Sequence, residues 1–317
     1  MVEMFYTLST VFPIGLAALG SGIGQGLIGL KSLKAMDIQP QAAAEINKMS
    51  LVGMTLTETS AILGLVVSIL LILDTSVPAS YEYAALGRIG IGIAVGITSF
   101  VAGIASSLPA QAACLSVARQ PFFSNKILQL MLITQTVIMT PNVFGFLIAL
   151  LINMKVPLAD NWVSGVQLLA AGLSIGIGSI GPCIGLSLFA ESACTAIGIN
   201  RKSYGKIMTF TFICEGIIET PVIFALLIAL LILNVKVVAT TPEIGGIAFI
   251  ASAICMGLST IGAGIAAGRT GAAACKQIGK SPDAYSAISK VGLLALAMID
   301  TFAIYGFIIA IILIYTI

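Results

Sequence analysis

Charged residues are so scarce in this chain that eight long apolar segments lie between them. In order, spans 1 to 8 cover residues 5–30, 49–73, 87–117, 127–154, 163–198, 207–233, 244–268 and 284–317. Each reaches the roughly 20 residues that an α-helix needs to cross the hydrocarbon of a bilayer. A membrane β-barrel would instead show short segments of alternating polarity. The pattern therefore predicts an all-α integral membrane protein with eight transmembrane helices.

The composition excludes several classes of protein. Of 317 residues, 58% are hydrophobic and 9% charged, and the mean hydropathy of +1.10 is far above that of a soluble domain. The net charge of +2 is too small to indicate a nucleic-acid partner, and the chain has no histidine. The six cysteines show no CxxC spacing, so we interpret them as packing residues. Without a phosphate-binding loop or a nucleophile arrangement, we expect neither catalysis nor a cofactor.

Basic residues predict the orientation of the spans. The loops after spans 1, 3, 5 and 7 hold twelve of the fifteen Lys and Arg residues. These twelve are Lys31, Lys34, Lys48, Arg119, Lys126, Arg201, Lys202, Lys206, Arg269, Lys276, Lys280 and Lys290. The loops after spans 2, 4 and 6 hold only Arg88, Lys155 and Lys236. Since basic loops stay in the cytoplasm, both termini are predicted to lie outside.

A repeat of about eighty residues fills the chain. The second span of each repeat carries one key position, and the four positions, Glu58, Met139, Glu219 and Asp300, are separated by 81, 80 and 81 residues. Each key residue is followed by Thr and then by an apolar stretch. We therefore expect four tandem helical hairpins. Their predicted boundaries are residues 1–80, 81–157, 158–238 and 239–317.

The odd-numbered spans are rich in glycine. Small residues recur four apart, as in Gly22 and Gly26, or Gly264 and Gly268. In lipid, such faces let two helix backbones approach closely, and van der Waals contact then holds the helices together. The pattern predicts an inner layer of odd-numbered spans and an outer layer of Leu- and Ile-rich even-numbered spans that faces lipid.

Three of the key positions place a carboxyl inside a predicted span. An ionised side chain at the bilayer centre costs roughly 2.5–3.5 kcal/mol or more, so such residues mark ion pathways by default. One acid alone could simply join helices by hydrogen bonds. Glu58, Glu219 and Asp300 at one repeat position favour ion carriage, whereas Met139 can neither hold a proton nor balance Na⁺.

Oxygen-bearing side chains near the acids bear on the identity of the ion. Thr59, Thr220 and Thr301 follow the three acids, and Gln25 stands 33 residues before Glu58. A cluster of Gln25, Glu58 and Thr59 would suit Na⁺ or a hydrogen-bonded protonated acid. At the same distance before Glu219 and Asp300 stand Leu186 and Ala267. The amide and hydroxyls therefore favour Na⁺, the two apolar replacements favour H⁺, and the choice stays open.

Glu215 lies one helical turn before Glu219, on the same face of the helix. Two carboxyls this close cannot both ionise readily in a low dielectric, so one holds a proton or the pair shares a cation. Gln135 occupies the matching place before Met139. Either Glu215 or Glu219 could be the carrier of the third hairpin, with the other in support.

These features resemble the rotor-ring proteolipids, the c or K subunits of F-type and V-type ATPases. The loop ARQP at 118–121 is similar to that of F-type subunits, whereas SGIGQG at 21–26 with ETSAILG at 58–64 is more similar to V-type proteolipids. V-type proteins also duplicate the hairpin and lose one acid.

The resemblance implies a homo-oligomeric ring in a prokaryotic plasma membrane. Glu58, Glu219 and Asp300 would exchange Na⁺ or H⁺ with a stator subunit (a or I), supported by Gln25, Thr59, Thr220, Thr301 and Glu215. Lipid and central-stalk subunits would be the other partners. Subtype, ring size and pump or synthase direction stay open.

Two other functions fit the residues less well. A secondary transporter built from parallel repeats would couple its acids to a solute near the midplane. No extra polar residues suggest a solute pocket, and we expect mid-helix breaks only at Pro141, Pro182 and Pro221. A proteolipid that forms an inert pore or scaffold is the third possibility, and it would leave the acids without a role.

Overall fold

The computed structural model describes residues 6–7, 9–76, 78–236 and 242–315. These residues form eight helical segments that are long and apolar enough to cross a membrane, with no strand among them, as predicted. The helices are α1 (Phe12–Ile38), α2 (Ala43–Leu73), α3 (Tyr81–Ala105), α4 (Ser107–Arg119), α5 (Ser124–Lys155), α6 (Trp162–Gly178), α7 (Ile180–Ile199), α8 (Tyr204–Asn234), α9 (Pro242–Lys280) and α10 (Tyr285–Tyr315).

Spans 3 and 5 are each interrupted once. The first helix of span 3 ends at Ala105 and that of span 5 at Gly178. Proline lies four residues further on in both cases, as Pro109 and Pro182. Because proline has no N–H, it removes the helical hydrogen bond to the carbonyl four residues earlier, which is the carbonyl where each helix ends. Pro141, by contrast, stays inside α5.

The helices extend well beyond the predicted spans on the basic side. The sequence predicts that span 1 ends at residue 30 and span 7 at residue 268, but α1 continues to Ile38 and α9 to Lys280. The helices are longer than the predicted spans because hydropathy reports the hydrocarbon thickness, whereas a helix can continue past it. Short 3₁₀ turns connect the two helices of each hairpin, at Pro40–Ala42, Pro121–Phe123, Arg201–Ser203 and Pro282–Ala284.

The spans pack in two layers, as the glycine pattern predicts. The odd-numbered spans contact one another in chain order, from α1 through α3 and α4, then α6 and α7, to α9. The even-numbered spans α2, α5, α8 and α10 do the same in a second layer. The two central inner spans are 67% and 72% buried, against 33% for α1 and 22% for α10. The first and last hairpins are therefore the open edges of the molecule.

Glycine lets the inner spans touch backbone to backbone. A Cβ added at Gly185 would overlap the carbonyl oxygen of Gly264, and one at Gly268 would overlap the backbone of Gly185. Gly24 meets the carbonyl of Gly103 in the same way. Outside these junctions the space is free, because a Cβ at Gly22 or at other edge glycines would meet nothing within 4 Å.

An ion pair joins the first two hairpins on the side opposite the basic turns. Arg88, which the sequence places in a loop, lies inside α3, where it is buried and 3.2 Å from the Asp74 carboxylate. Its guanidinium carbon also lies 3.7 Å from the centre of the Tyr6 ring. Burial raises the pKa of Asp74, but hydrogen bonds from Ser76 and Arg88 outweigh it and hold that pKa below its usual value.

Replacing Gly185 with valine is expected to push the third and fourth hairpins apart. Overpacking of a close contact costs about 1–3 kcal/mol, so the free energy of unfolding in detergent should fall by at least that amount. Gly205→Val is the matched control, because a Cβ at Gly205 meets nothing within 4 Å. Equal unfolding free energies for the two variants would contradict the close inner-layer contact.

Candidate ion-binding sites

The four key side chains differ in exposure according to the hairpin that precedes them. Glu58, in the first hairpin, is exposed, and Glu219 and Asp300 are partly buried. Met139 is only 8% exposed. In the described structure no hairpin covers Glu58, whereas the other three key side chains are at least partly covered. The contrast indicates that each key position lies at a junction between two hairpins.

Two contacts show which residues cross the junctions. The Glu219 carboxyl lies near enough to the hydroxyl of Thr140, which belongs to the second hairpin, to interact with it. The Ser60 hydroxyl of the first hairpin donates to the Met139 sulfur over 3.3 Å. In both cases the key side chain faces residues one or two positions after the key position of the preceding hairpin. Thr140 therefore serves Glu219 rather than Met139.

The predicted hydroxyl ligands lie beside these sites. The Thr220 hydroxyl donates to the Gly216 carbonyl over 2.9 Å, and that of Thr301 to the Met298 carbonyl over 2.6 Å. Thr59 is exposed. These bonds use the hydroxyl hydrogens and leave oxygen lone pairs for another partner.

Gln25 does approach the second helix of its hairpin, but one turn before Glu58. Its amide nitrogen donates to the Met54 carbonyl over 3.2 Å, and no hydrogen bond joins it to Glu58 within the described residues. The amide oxygen is left as a fixed acceptor. At the matching positions, Leu186 is fully buried and Ala267 is 3% exposed. The third and fourth hairpins therefore offer no amide at this place.

The junction at Met139 is closed by hydrogen bonds instead of an ion. Gln135 donates to the carbonyls of Gly53 and Ser106, over 3.2 and 2.8 Å. The hydroxyls of Ser106 and Thr57 lie 3.1 Å apart. This buried network satisfies the backbone where the other junctions hold an acid. Sequence reasoning identified Gln135 as a match to Glu215 but not as a bridge between hairpins.

Glu215 has surroundings unlike those of the other acids. Its side chain is buried, and neither carboxyl oxygen has a hydrogen-bond partner in the described part of the chain. The thiols of Cys194, Cys214 and Cys275 lie near enough to interact with it electrostatically. No cluster of three or more His, Cys, Asp or Glu side chains in the described ranges could hold a metal ion.

Comparison with known proteins agrees with the repeat. The family model of the ATP synthase C subunit matches four regions, residues 8–71, 89–152, 169–232 and 250–313. The K subunit of the A-type ATP synthase of Methanocaldococcus jannaschii is 31% identical over 226 residues, which are 71% of this chain and 94% of the relative. The ATP synthase c-subunit of Dehalococcoides mccartyi is 40% identical over 70 residues, 22% of this chain and 92% of the relative.

A carboxyl introduced at the second junction tests whether the fold there can still hold an ion site. In Met139→Glu, the new acid would face the Ser60 hydroxyl, as Glu219 faces Thr140. A hydrophobic carbodiimide, which modifies protonated carboxyls in membranes, is expected to label the introduced carboxyl at position 139 in a mass-spectrometric peptide map. Met139→Gln is the unlabelled control. Failure to label in a folded variant would show that the closed junction excludes an acid.

Proposed function

Because the chain belongs to the ATP synthase C-subunit family, we propose that it carries protons on Glu58, Glu219 and Asp300. The chain is a fused rotor proteolipid of four hairpins and a non-catalytic subunit of a rotary ATPase. The family is ion-translocating, and its rotor assembles as a ring with other subunits. The observation that carries the proposal is the recurrence of one acid per junction, partly exposed, with Met139 as the exception.

We propose H⁺ rather than Na⁺ because a proton requires only the carboxyl, which all three sites have. A proton needs one carboxyl oxygen, whereas a hard cation is held by several oxygen ligands. Gln25 could supply an oxygen to Glu58, but Leu186 and Ala267 supply none to the later hairpins. Since one stator pathway would load every site of a ring, the carried ion must suit the poorest site. This reverses the preference for Na⁺ that Gln25 and the threonines suggest.

The repeat also supports a homo-oligomeric ring, in which the fourth hairpin of one copy packs against the first hairpin of the next. Counted from the start of each matched region, Gly22 corresponds to Gly264, and Gly262 to Gly181. Gly264 packs on Gly181 inside the chain, whereas Gly22 and Gly262 both face open space. Gly262 of one copy would therefore receive Gly22 of the next. Thr301, which corresponds to Thr140, would then cover Glu58 of that next copy.

The remaining partners follow from the charge of the two ends. We propose that the basic turns lie in the cytoplasm of a prokaryotic cell and contact central-stalk subunits, while both termini lie outside the plasma membrane. A stator subunit would face the outer layer, where the acids lie. Protonated acids then pass through lipid as neutral groups, which avoids the cost of an ionised carboxylate in hydrocarbon. Hairpin boundaries at residues 80, 157 and 238 belong to the same proposal.

The alternative of a secondary transporter is not favoured, because the four family matches cover all four hairpins. An inert scaffold would leave three intramembrane acids unexplained.

Carbodiimide labelling of the purified ring tests the carriers and the ion together. Glu58, Glu219 and Asp300 are expected to label at low pH and to lose labelling as the pH rises, because only the protonated carboxyl reacts. Added Na⁺ is expected to leave the labelling unchanged at every pH. Protection by Na⁺, with K⁺ as the control salt, would overturn the proton and favour sodium sites.

A valine at Gly22 tests the junction between copies. The open space at Gly22 predicts that Gly22→Val leaves the helical content and thermal unfolding of the isolated chain unchanged but prevents ring formation on a denaturing gel. Gly205→Val, whose Cβ also meets open space, should keep the ring. Normal rings from Gly22→Val would exclude this surface as the contact between copies.

A further inference from the structure

Among the residues whose burial the structure describes, Glu215 is the one buried acid that the proposed transport cycle does not use. It lies in the middle of α8, only 2% exposed, with both oxygens unpartnered in the described residues. It precedes Glu219 by four residues, so the two side chains share one face of the helix and can reach each other. A buried acid so placed needs a role, because no hydrogen bond within the described residues explains its burial.

The groups around Glu215 offer no positive charge. Its electrostatic partners are Cys194 from α7, Cys214 and Glu219 from α8 itself, and Cys275 from α9. The helices α5, α6 and α10, which also pack against α8, add no charged partner in the described part of the chain. An ionised carboxylate without a partner is far more costly to bury than a neutral acid, so Glu215 holds a proton.

The equivalent place in the second hairpin supports a neutral donor. Gln135 stands there, fully buried, and its N–H groups bridge the carbonyls of Gly53 and Ser106. A neutral carboxylic acid resembles this amide in shape and carries one donor where the amide carries two. Met54 and Leu296, at the same place in the first and fourth hairpins, carry none. The third hairpin thus differs from the other two acid-bearing hairpins by one donor near its carrier.

We propose that Glu215 never carries the transported ion but keeps its proton and donates a hydrogen bond to the Glu219 carboxylate whenever Glu219 is empty. The O–H of Glu215 turns along the helix face as Glu219 loses its proton, and turns away as Glu219 regains it. No proton passes between the two groups. Glu215 is therefore a positioning residue that makes release from the third hairpin easier than from a site without the donor.

The residues that occupy the position of Glu215 in the other hairpins supply the substitutions that test this role. In Glu215→Met, which copies Met54, the donor is lost and the empty carboxylate of Glu219 is destabilised. The pH midpoint of carbodiimide labelling at Glu219 should rise by about one to two units, the size expected for one hydrogen bond to a charged group. Glu215→Gln keeps a donor and should leave the midpoint and coupled transport near those of the unmodified ring. Glu219→Gln should lower transport strongly.

A second measurement does not depend on the apolar variant. The infrared carbonyl band of a neutral carboxylic acid should persist above the pH at which Glu219 ceases to label, and Glu215→Gln should remove it. Absence of the band in the unmodified ring would overturn the proposal. Loss of transport in Glu215→Gln comparable to that in Glu219→Gln would also overturn it, because Glu215 would then be a carrier.

This inference rests on Glu219 being a proton carrier, and the same experiment separates the two claims. If Glu219 does not label in the unmodified ring, the proposed function of the third hairpin fails. If Glu219 labels but its midpoint is the same in Glu215→Met, Glu215→Leu and the unmodified ring, only the role of Glu215 fails. The midpoint for Glu58 in each variant is the internal control, because Glu58 lies two hairpins away.

Discussion

Backbone contact between glycine faces is the interaction on which the arrangement of this protein depends. In lipid there is no hydrophobic force between apolar helices, so association relies on close packing. The inner spans achieve it where Gly185 meets Gly264 and where Gly24 meets Gly103. This packing fixes the distance from one hairpin to the next. It thereby brings Thr140, on one outer helix, close to Glu219 on the next.

A consequence is that each proposed ion site lies between two hairpins rather than within one. Glu219 is half-buried because the second hairpin covers it, whereas no hairpin of the described structure covers Glu58, which is exposed. The difference in exposure therefore reflects the neighbouring hairpin rather than the acid itself. The polar network at Met139 shows the other way to close a junction, in which Gln135 satisfies carbonyls without an ion.

The sequence predicts most of the fold because its signals are local to a span. Hydropathy, the eighty-residue repeat and the glycine spacing predict the eight helices, the hairpins and the two layers. The sequence does not predict where the helices end beyond the apolar segments, since hydropathy identifies only the part of a helix that can lie in hydrocarbon. Nor does it pair Thr140 with Glu219 or Gln25 with Met54, because the stagger between neighbouring helices depends on three-dimensional packing. The sequence also does not predict that Glu215 is buried near three thiols, although its four-residue spacing from Glu219 identifies the pair.

Covalent fusion of the four hairpins determines how the proposed ion carriers are spaced around a ring. In the proposed ring of copies of this chain, the hairpin with Met139 in place of an acid recurs in a fixed order between those that carry Glu58 and Glu219. With Glu58, Glu219 and Asp300 as the proposed carriers, successive carriers are then separated by two, one and one hairpin widths in turn. Separate single-hairpin subunits could scatter such gaps at random around the ring. Here one polypeptide encodes the uneven spacing of the carriers, so the spacing is the same in every ring built from this chain.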